Sequence, residues 1–238
     1  MKDLRKLNNV MYVYDFDTYA DRPNLYYIKG KDYSIAVDAG NSRTHCKEFY
    51  DAITRAGFEL PLYTIISHWH WDHTFGLNAI WGYSISSVKT KRQLDKVAKW
   101  KWTLDDMKNR ETTGEDISFC TENILREYKD LNSIEVVSTD TGIDERVTMD
   151  LGNTCVDLIP MPSTHGDDSL FVYIPSERAL IVEDADCEDF YNGAVYDQKI
   201  LKEMIAFFES LDYDFHYLGH ADVETKEFAI NRLKGEIK

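Results

Sequence analysis

Basic charge, paired cysteine and long apolar runs are what this sequence has least of. Lys and Arg number 27 against 42 Asp and Glu, a formal net charge of −15. That mean field repels a polyanion, which argues against a nucleic-acid partner. Cys46, Cys120, Cys155 and Cys187 are scattered with no Cys-x-x-Cys spacing, the pattern of buried free thiols. Cys187 alone stands near a candidate ligand. Met1 to Val10 carries Lys and Asp without an apolar leader core, and nowhere do apolar residues approach the roughly 18 of a membrane span. The expectation is a soluble, cytoplasmic chain with no membrane partner. Nothing in the pattern speaks to oligomeric state.

What is present is ample material for a core. With 43% hydrophobic and 13% aromatic residues in 238, one layered α/β domain over 1–238 is expected, since such folds reach this length undivided. Leu25 to Ile28 and Ser34 to Val37 are β-rich runs about the polar turn Lys29-Gly30-Lys31-Asp32, which predicts a hairpin. From Arg43 to Ala56, Phe49, Ile53 and Ala56 recur at helical spacing, and Gly57 supplies the stop. Leu62 to Ile66 predicts a strand running straight into Ser67 to Gly76, a polar loop at a strand's carboxyl end. The charged stretch at about 88–131 reads as a helical insert, with Leu94, Val97, Trp100, Leu104 and Met107 as one apolar stripe.

Strands resume at Ile134 to Val137, Arg146 to Met149, Cys155 to Ile159, Leu170 to Ile174 and Ala179 to Val182. Asp197 caps a predicted helix through Leu211, in which Ile200, Met204, Ile205, Phe208 and Leu211 share a face. Phe215 to Leu218 is the last strand, before His220 and a short terminal helix. An internal similarity runs through this order. Residues 24–28 and 34–39 align without gaps on 170–174 and 180–185, each pair reading strand, turn, strand, Asp-Ala. Two related β-rich halves flanked by helices predict a four-layer αβ/βα sandwich.

Ser67-His68-Trp69-His70-Trp71-Asp72-His73 concentrates three imidazoles and a carboxylate, the nitrogen and oxygen donors that zinc and similar divalent ions prefer. His68 and His70 can point one way and Asp72 with His73 another, which divides the cluster between two metals. Two coordination spheres then require further ligands after later strands. Trp69 and Trp71, alternating with the donors, either wall a pocket or pack beneath it.

The motif His68-x-His70-x-Asp72-His73, followed by His165, Asp184 and His220 in that order, resembles the metallo-β-lactamase superfamily across nearly the whole chain. The resemblance implies the metallo-β-lactamase fold. It also implies a first metal on His68, His70 and His165 and a second on Asp72, His73 and His220, with Asp184 bridging. Asp186 and Asp189 compete for that bridge, but the internal repeat pairs Asp184 with Asp38 at an equivalent strand end. Asp38 itself is expected to orient a ligand histidine or tie down the loop. Asp167 and Asp168 are either solvated turn residues or partners of His165 or substrate. His45 and His216 have no place in the pattern.

The resemblance further implies a dinuclear hydrolase in which two cations sharing a water make a hydroxide available near neutral pH. Asp72 would be both ligand and catalytic acid/base. Zinc suits the histidine-rich set, and iron or manganese also occupies mixed nitrogen and oxygen sites. Common dinuclear β-lactamases carry Cys where this chain has Asp184, which turns the expectation toward glyoxalase II, lactonase and phosphodiesterase relatives. Lactonases place a Tyr three residues past the bridging Asp, where Cys187 stands here with Tyr191 nearby. Glyoxalase II enzymes extend further beyond the last histidine. Diiron flavoproteins of the family replace the histidine at the position of His70 by Glu. The expected substrate is therefore a small ester, lactone or thioester, with a phosphodiester or a non-catalytic metal sensor as alternatives. The insert is expected to cap the pocket, with Trp102 turned toward substrate.

Overall fold

Strands buried at every position set the architecture. Leu25–Ile28, Ile35–Val37, Leu170–Ile174 and Ala179–Glu183 expose neither face to solvent, so each must be covered on both sides. The structure is a computed structural model that describes residues 2–238. Its first sheet holds β1 (Arg5–Lys6), β2 (Met11–Tyr14), β3 (Leu25–Ile28), β4 (Ile35–Val37), β5 (Tyr63–Ile65), β6 (Tyr83–Ser87) and β7 (Thr141–Ile143), side by side in chain order. The second holds β8 (Val147–Asp150), β9 (Cys155–Pro160), β10 (Leu170–Ile174), β11 (Ala179–Glu183), β12 (Phe215–Leu218) and β13 (Glu224–Thr225), again in sequential order.

Alternation along the strands explains the layers. Tyr26, Ile28, Val37 and Ile65 meet Val172, Ile174 and Ile181 between the sheets. Leu25 and Tyr27 face outward onto Phe49 and Ile53 of α1 (Arg43–Arg55). Helix α2 (Trp71–Thr74) carries half of the histidine motif, and α3 (Val88–Val97) packs Leu94 against Ile66 and Leu77. Helices α4 (Leu104–Thr113) and α5 (Ser118–Glu127) form the excursion, while α6 (Gln198–Ser210) and α7 (Lys226–Gly235) cover the second sheet. The result is the predicted αβ/βα sandwich. No helix among the described residues is long and apolar enough to cross a membrane.

Local chemistry sets the helix ends. The Ser42 side chain accepts from His45 N, and Gly57, at φ 75°, takes the left-handed turn that ends α1. Asp197 caps α6 as expected, accepting from Lys199 N and Ile200 N.

Several expectations are corrected. Ile134 to Val137 forms no strand. It lies over the helical layer, where Ile134 packs with Trp71 and Phe75 and Val137 with Leu94, and the strand beside β6 is the later Thr141–Ile143. The apolar stripe is not one helix, because α3 stops at Val97 and Thr103 caps a fresh start at Leu104. Leu104 is consequently 60% exposed. The excursion is narrower than 88–131, since α3 belongs to the outer layer of the first sheet. In α6 it is Leu201 that is fully buried, while Ile200 is only partly covered. The internal repeat also slips by one residue at its end. A bulge in β11 between Ile181 and Glu183 gives Glu183, not Asp184, the left-handed backbone that Asp38 has, at φ 52° and 62°.

Candidate metal centre

The motif enters at the carboxyl end of β5. Asp38, at the end of the neighbouring β4, accepts from Ser67 N at 2.7 Å and from Ser67 Oγ at 2.7 Å, and its Oδ2 lies 2.6 Å from His73 Nδ1. The chain then turns into α2 rather than remaining a loop. The His70 carbonyl accepts from His73 N and from Thr74 Oγ1, so Asp72 and His73 swing away from His70 by helical geometry. The expected division of the motif follows from that turn.

One donor group gathers His68 Nε2, His70 Nδ1 and His165 Nε2, with His70 Nδ1 at 3.0 Å from His68 and 2.8 Å from His165. A second gathers Asp72, His73, Asp184 and His220. Here Asp72 Oδ2 is 3.0 Å from both His73 Nε2 and His220 Nε2, and Asp184 Oδ2 is 3.1 Å and 3.4 Å from the same nitrogens. The His68 and His73 rings, centroids 4.2 Å apart, join the two groups. Gly219 makes the closure possible, because a Cβ there would lie 2.3 Å from Asp184 Oδ1.

The donor set fits divalent cations on two grounds. Hydrogen bonds at the far side of the rings assign the tautomers: His68 Nδ1 donates to Ser67 Oγ, His73 Nδ1 to Asp38 and His165 Nδ1 to the Glu188 carbonyl. In the neutral ring each Nε2 is then the bare nitrogen turned toward the cluster, as ligation demands. His220 Nδ1 faces Asp21 Oδ1 at 3.6 Å in the same sense. The second ground is charge. Burial and the surrounding histidines hold His68 well below the ordinary imidazole range and bring His70 down to about 3, leaving neutral rings with free lone pairs. In the other group burial opposes charge, but Asp72, Asp184 and Asp38 outweigh it and raise His73, as Asp184 and Asp72 raise His220. A pair of buried carboxylates there calls for positive charge.

All seven expected ligands thus come together. Asp186 does not: its Oδ2 takes His216 Nε2 at 2.9 Å and the Arg232 guanidinium. This also gives His216 the partner it lacked in the sequence pattern. Asp189 caps a short turn through Tyr191 N and Asn192 N, and Cys187 joins neither donor group. Asp168 is not a solvated turn residue. It is buried and accepts from Trp69 N at 3.0 Å and Thr90 Oγ1 at 2.7 Å, locking the His165 loop to the motif. Asp167 reaches out to Lys89.

Two neighbours escaped the sequence reading. Glu183 is buried beside Asp38 and His73 with neither carboxylate oxygen bonded, and burial with Asp38 close by raises its carboxyl well above the usual range. Asp21, held at φ 53°, faces His220, and burial with Asp72 nearby raises it to about 7. The bulge in β11 and the fold-back of a distant loop place them, and neither leaves a sequence signal.

Above the donors lies a cavity of about 600 Å³ whose floor includes His70, Asp72, His165, Asp184 and His220. Ile117, Phe119 and Cys120 of the excursion form part of its wall. The excursion thus borders the cavity, but Trp102 is not among the residues that line it. Trp100 and Trp102 lie in the connection between α3 and α4, stacked on the Arg110 guanidinium at 4.5 and 4.6 Å, with Trp102 5.0 Å from Phe75. Trp71 lines the cavity, whereas Trp69 packs beside His70. Tyr191 stacks on His70 with ring centroids 5.1 Å apart, and its hydroxyl donates to Asp116 rather than turning to Asp184.

A family model described as the Metallo-beta-lactamase superfamily matches residues 18–220, and the chain belongs to that superfamily of metal-dependent hydrolases. No curated protein matches the chain. Among solved structures, a metallo-beta-lactamase from Pontibacter korlensis is 14% identical over 98% of both chains, with a TM-score of 0.69. A metallo-beta-lactamase family protein from Thermus thermophilus is 14% identical over 97% of this chain and 80% of its own, with a TM-score of 0.67. The stereoselective inverting sec-alkylsulfatase Pisa1 from Pseudomonas sp. is 11% identical, covering 99% of this chain and 41% of its own at a TM-score of 0.70. At these identities the likeness is one of fold.

Proposed function

We propose that this chain is a dinuclear hydrolase of small-molecule esters, lactones or thioesters, using zinc, with iron or manganese as other metals the donors suit. His68, His70 and His165 would hold one ion and Asp72, His73 and His220 the other, with Asp184 shared. Bound cations supply a water acidified toward neutrality and positive charge at the attacked oxygen. The observation carrying this reading is the convergence of bare ring nitrogens and buried carboxylates in two adjoining groups on the floor of one cavity.

Asp72 stands between His73 and His220 and borders the cavity, so its carboxylate would orient the attacking water and accept its proton. Asp38, through His73, keeps the second donor group in register. A room of about 600 Å³ over the donors favours turnover over mere sensing. The acidic lining of that room disfavours phosphodiesters. Four free cysteines suit a reducing, cytoplasmic setting.

A panel of neutral esters, lactones, thioesters and phosphodiesters, run on protein of measured metal content, tests the reading. Turnover of a carbonyl substrate that falls roughly 10²- to 10⁴-fold in Asp72→Asn is expected. Hydrolysis of phosphodiesters alone, or of nothing, would contradict it.

A further inference from the structure

The cavity has two properties that the donor set does not require. Its walls away from the floor are apolar and aromatic, built by Ile117 and Phe119 from the excursion and by Phe190, Tyr191 and Tyr196 from the segment before α6. Phe119 and Phe190 are 55% and 45% exposed, although they belong to segments far apart in sequence. Two large rings left uncovered around one opening form a surface that gains by contact with an apolar guest.

The second property is charge. Beyond the donors, the lining carries the acidic side chains of Asp21, Glu183, Asp186, Glu188 and Glu224 against one guanidinium, Arg232. That cation is engaged twice, by Asp186 and by Glu224 at 2.9 Å, and Glu188 accepts from Tyr196 at 3.2 Å. No Lys, and no Arg other than Arg232, faces the cavity among the described residues. Away from the donor groups, a carboxylate on the guest would lose its water and meet acidic neighbours with no unpaired side-chain cation to receive it.

We infer that the cavity selects substrates whose group beside the scissile bond is apolar and uncharged, and rejects those bearing a carboxylate there. The inference rests on the hydrolase reading for what is cleaved, but its binding test does not. Phe119 and its neighbours thus set specificity, and the excursion is the part of the chain that determines which neutral guest fits.

Calorimetric titration of the metal-loaded protein with three hydroxamic acids tests this. All share the same metal-seeking head: acetohydroxamic acid, octanohydroxamic acid, and suberic acid monohydroxamate, which has the octano chain length with a terminal carboxylate. The octano compound should bind at least about tenfold more tightly than the aceto compound, since each buried methylene is worth roughly fourfold. The suberic compound should bind at least about tenfold more weakly than the octano one. Phe119→Ala should narrow the octano-to-aceto ratio, and Glu224→Gln, which frees one arm of Arg232, should narrow the octano-to-suberic ratio. Equal or tighter binding of the suberic compound, no gain with chain length, or no binding of any of the three would overturn the inference. Discrimination among hydroxamates without turnover of any ester would leave it standing and count against the hydrolase reading alone.

Discussion

Asp38 Oδ2 lies 2.6 Å from His73 Nδ1, and both side chains are fully shielded from solvent. Asp38 is held there at φ 62°, a conformation that costs a non-glycine residue on the order of 1 kcal/mol or more. The cost is tolerable because one carboxylate fixes Ser67 and orients His73 toward the second donor group. Asn accepts this backbone more readily than most residues, so Asp38→Asn removes the charge without adding strain. The variant should lose about 10- to 100-fold in affinity for a divalent metal. Metal retained after timed dialysis against a chelator measures this, and wild-type retention would contradict the role.

Asp184 and Asp186 are two residues apart and serve different ends. Asp184→Ala should abolish most activity and lower metal content. Asp186→Ala should instead strip His216 and Arg232 of a shared buried partner and destabilise the fold by about 3 kcal/mol. Urea unfolding and metal analysis on both variants separate these outcomes, and the reverse ranking would move the shared ligand to Asp186.

Asp168 gives a pH signature in metal-free protein. Burial raises its carboxyl to about 6, against the hydrogen bonds from Thr90 and Trp69 that favour the carboxylate. Its folded pKa is therefore above the unfolded value, and its contribution is fully present below about pH 4 and lost as pH rises through 6. Asp168→Asn can still accept both bonds but has nothing to ionise. The variant should gain about 2 kcal/mol over the wild type between pH 4 and 7. Parallel unfolding curves at pH 4 and 7 check it, and a difference that does not change with pH would be the contrary result.

Trp102 should matter for stability rather than selectivity. Packed on Phe75 and Arg110, it anchors the excursion to α2, and Trp102→Ala should cost about 2 kcal/mol. Relative rates on esters of different acyl size should keep their order, and a reversed order would return Trp102 to the pocket.

The two donor groups are legible in the sequence because each member is a strongly typed residue in a fixed order after a strand, so strand prediction and donor chemistry reinforce each other. Asp38 was found through the repeat. The same repeat misjudged its counterpart, because a bulge in β11 is a matter of hydrogen-bond register that a gapless alignment cannot see. Trp102 was misplaced when periodicity was carried through a helix break, which Thr103 marks only as a cap. Asp21 and Glu183 stayed hidden because their roles depend on burial and on contacts across the fold. Ile134 to Val137 has the composition of a strand but lies beside helices, with no sheet edge to pair with.

The central claim is that the two donor groups each hold a cation. Native mass spectrometry with elemental analysis on protein purified from metal-supplemented medium tests it most directly. The account predicts two divalent ions per chain, with one lost in His220→Ala and the other in His165→Ala. One ion or none per chain in the wild type under those conditions would contradict it.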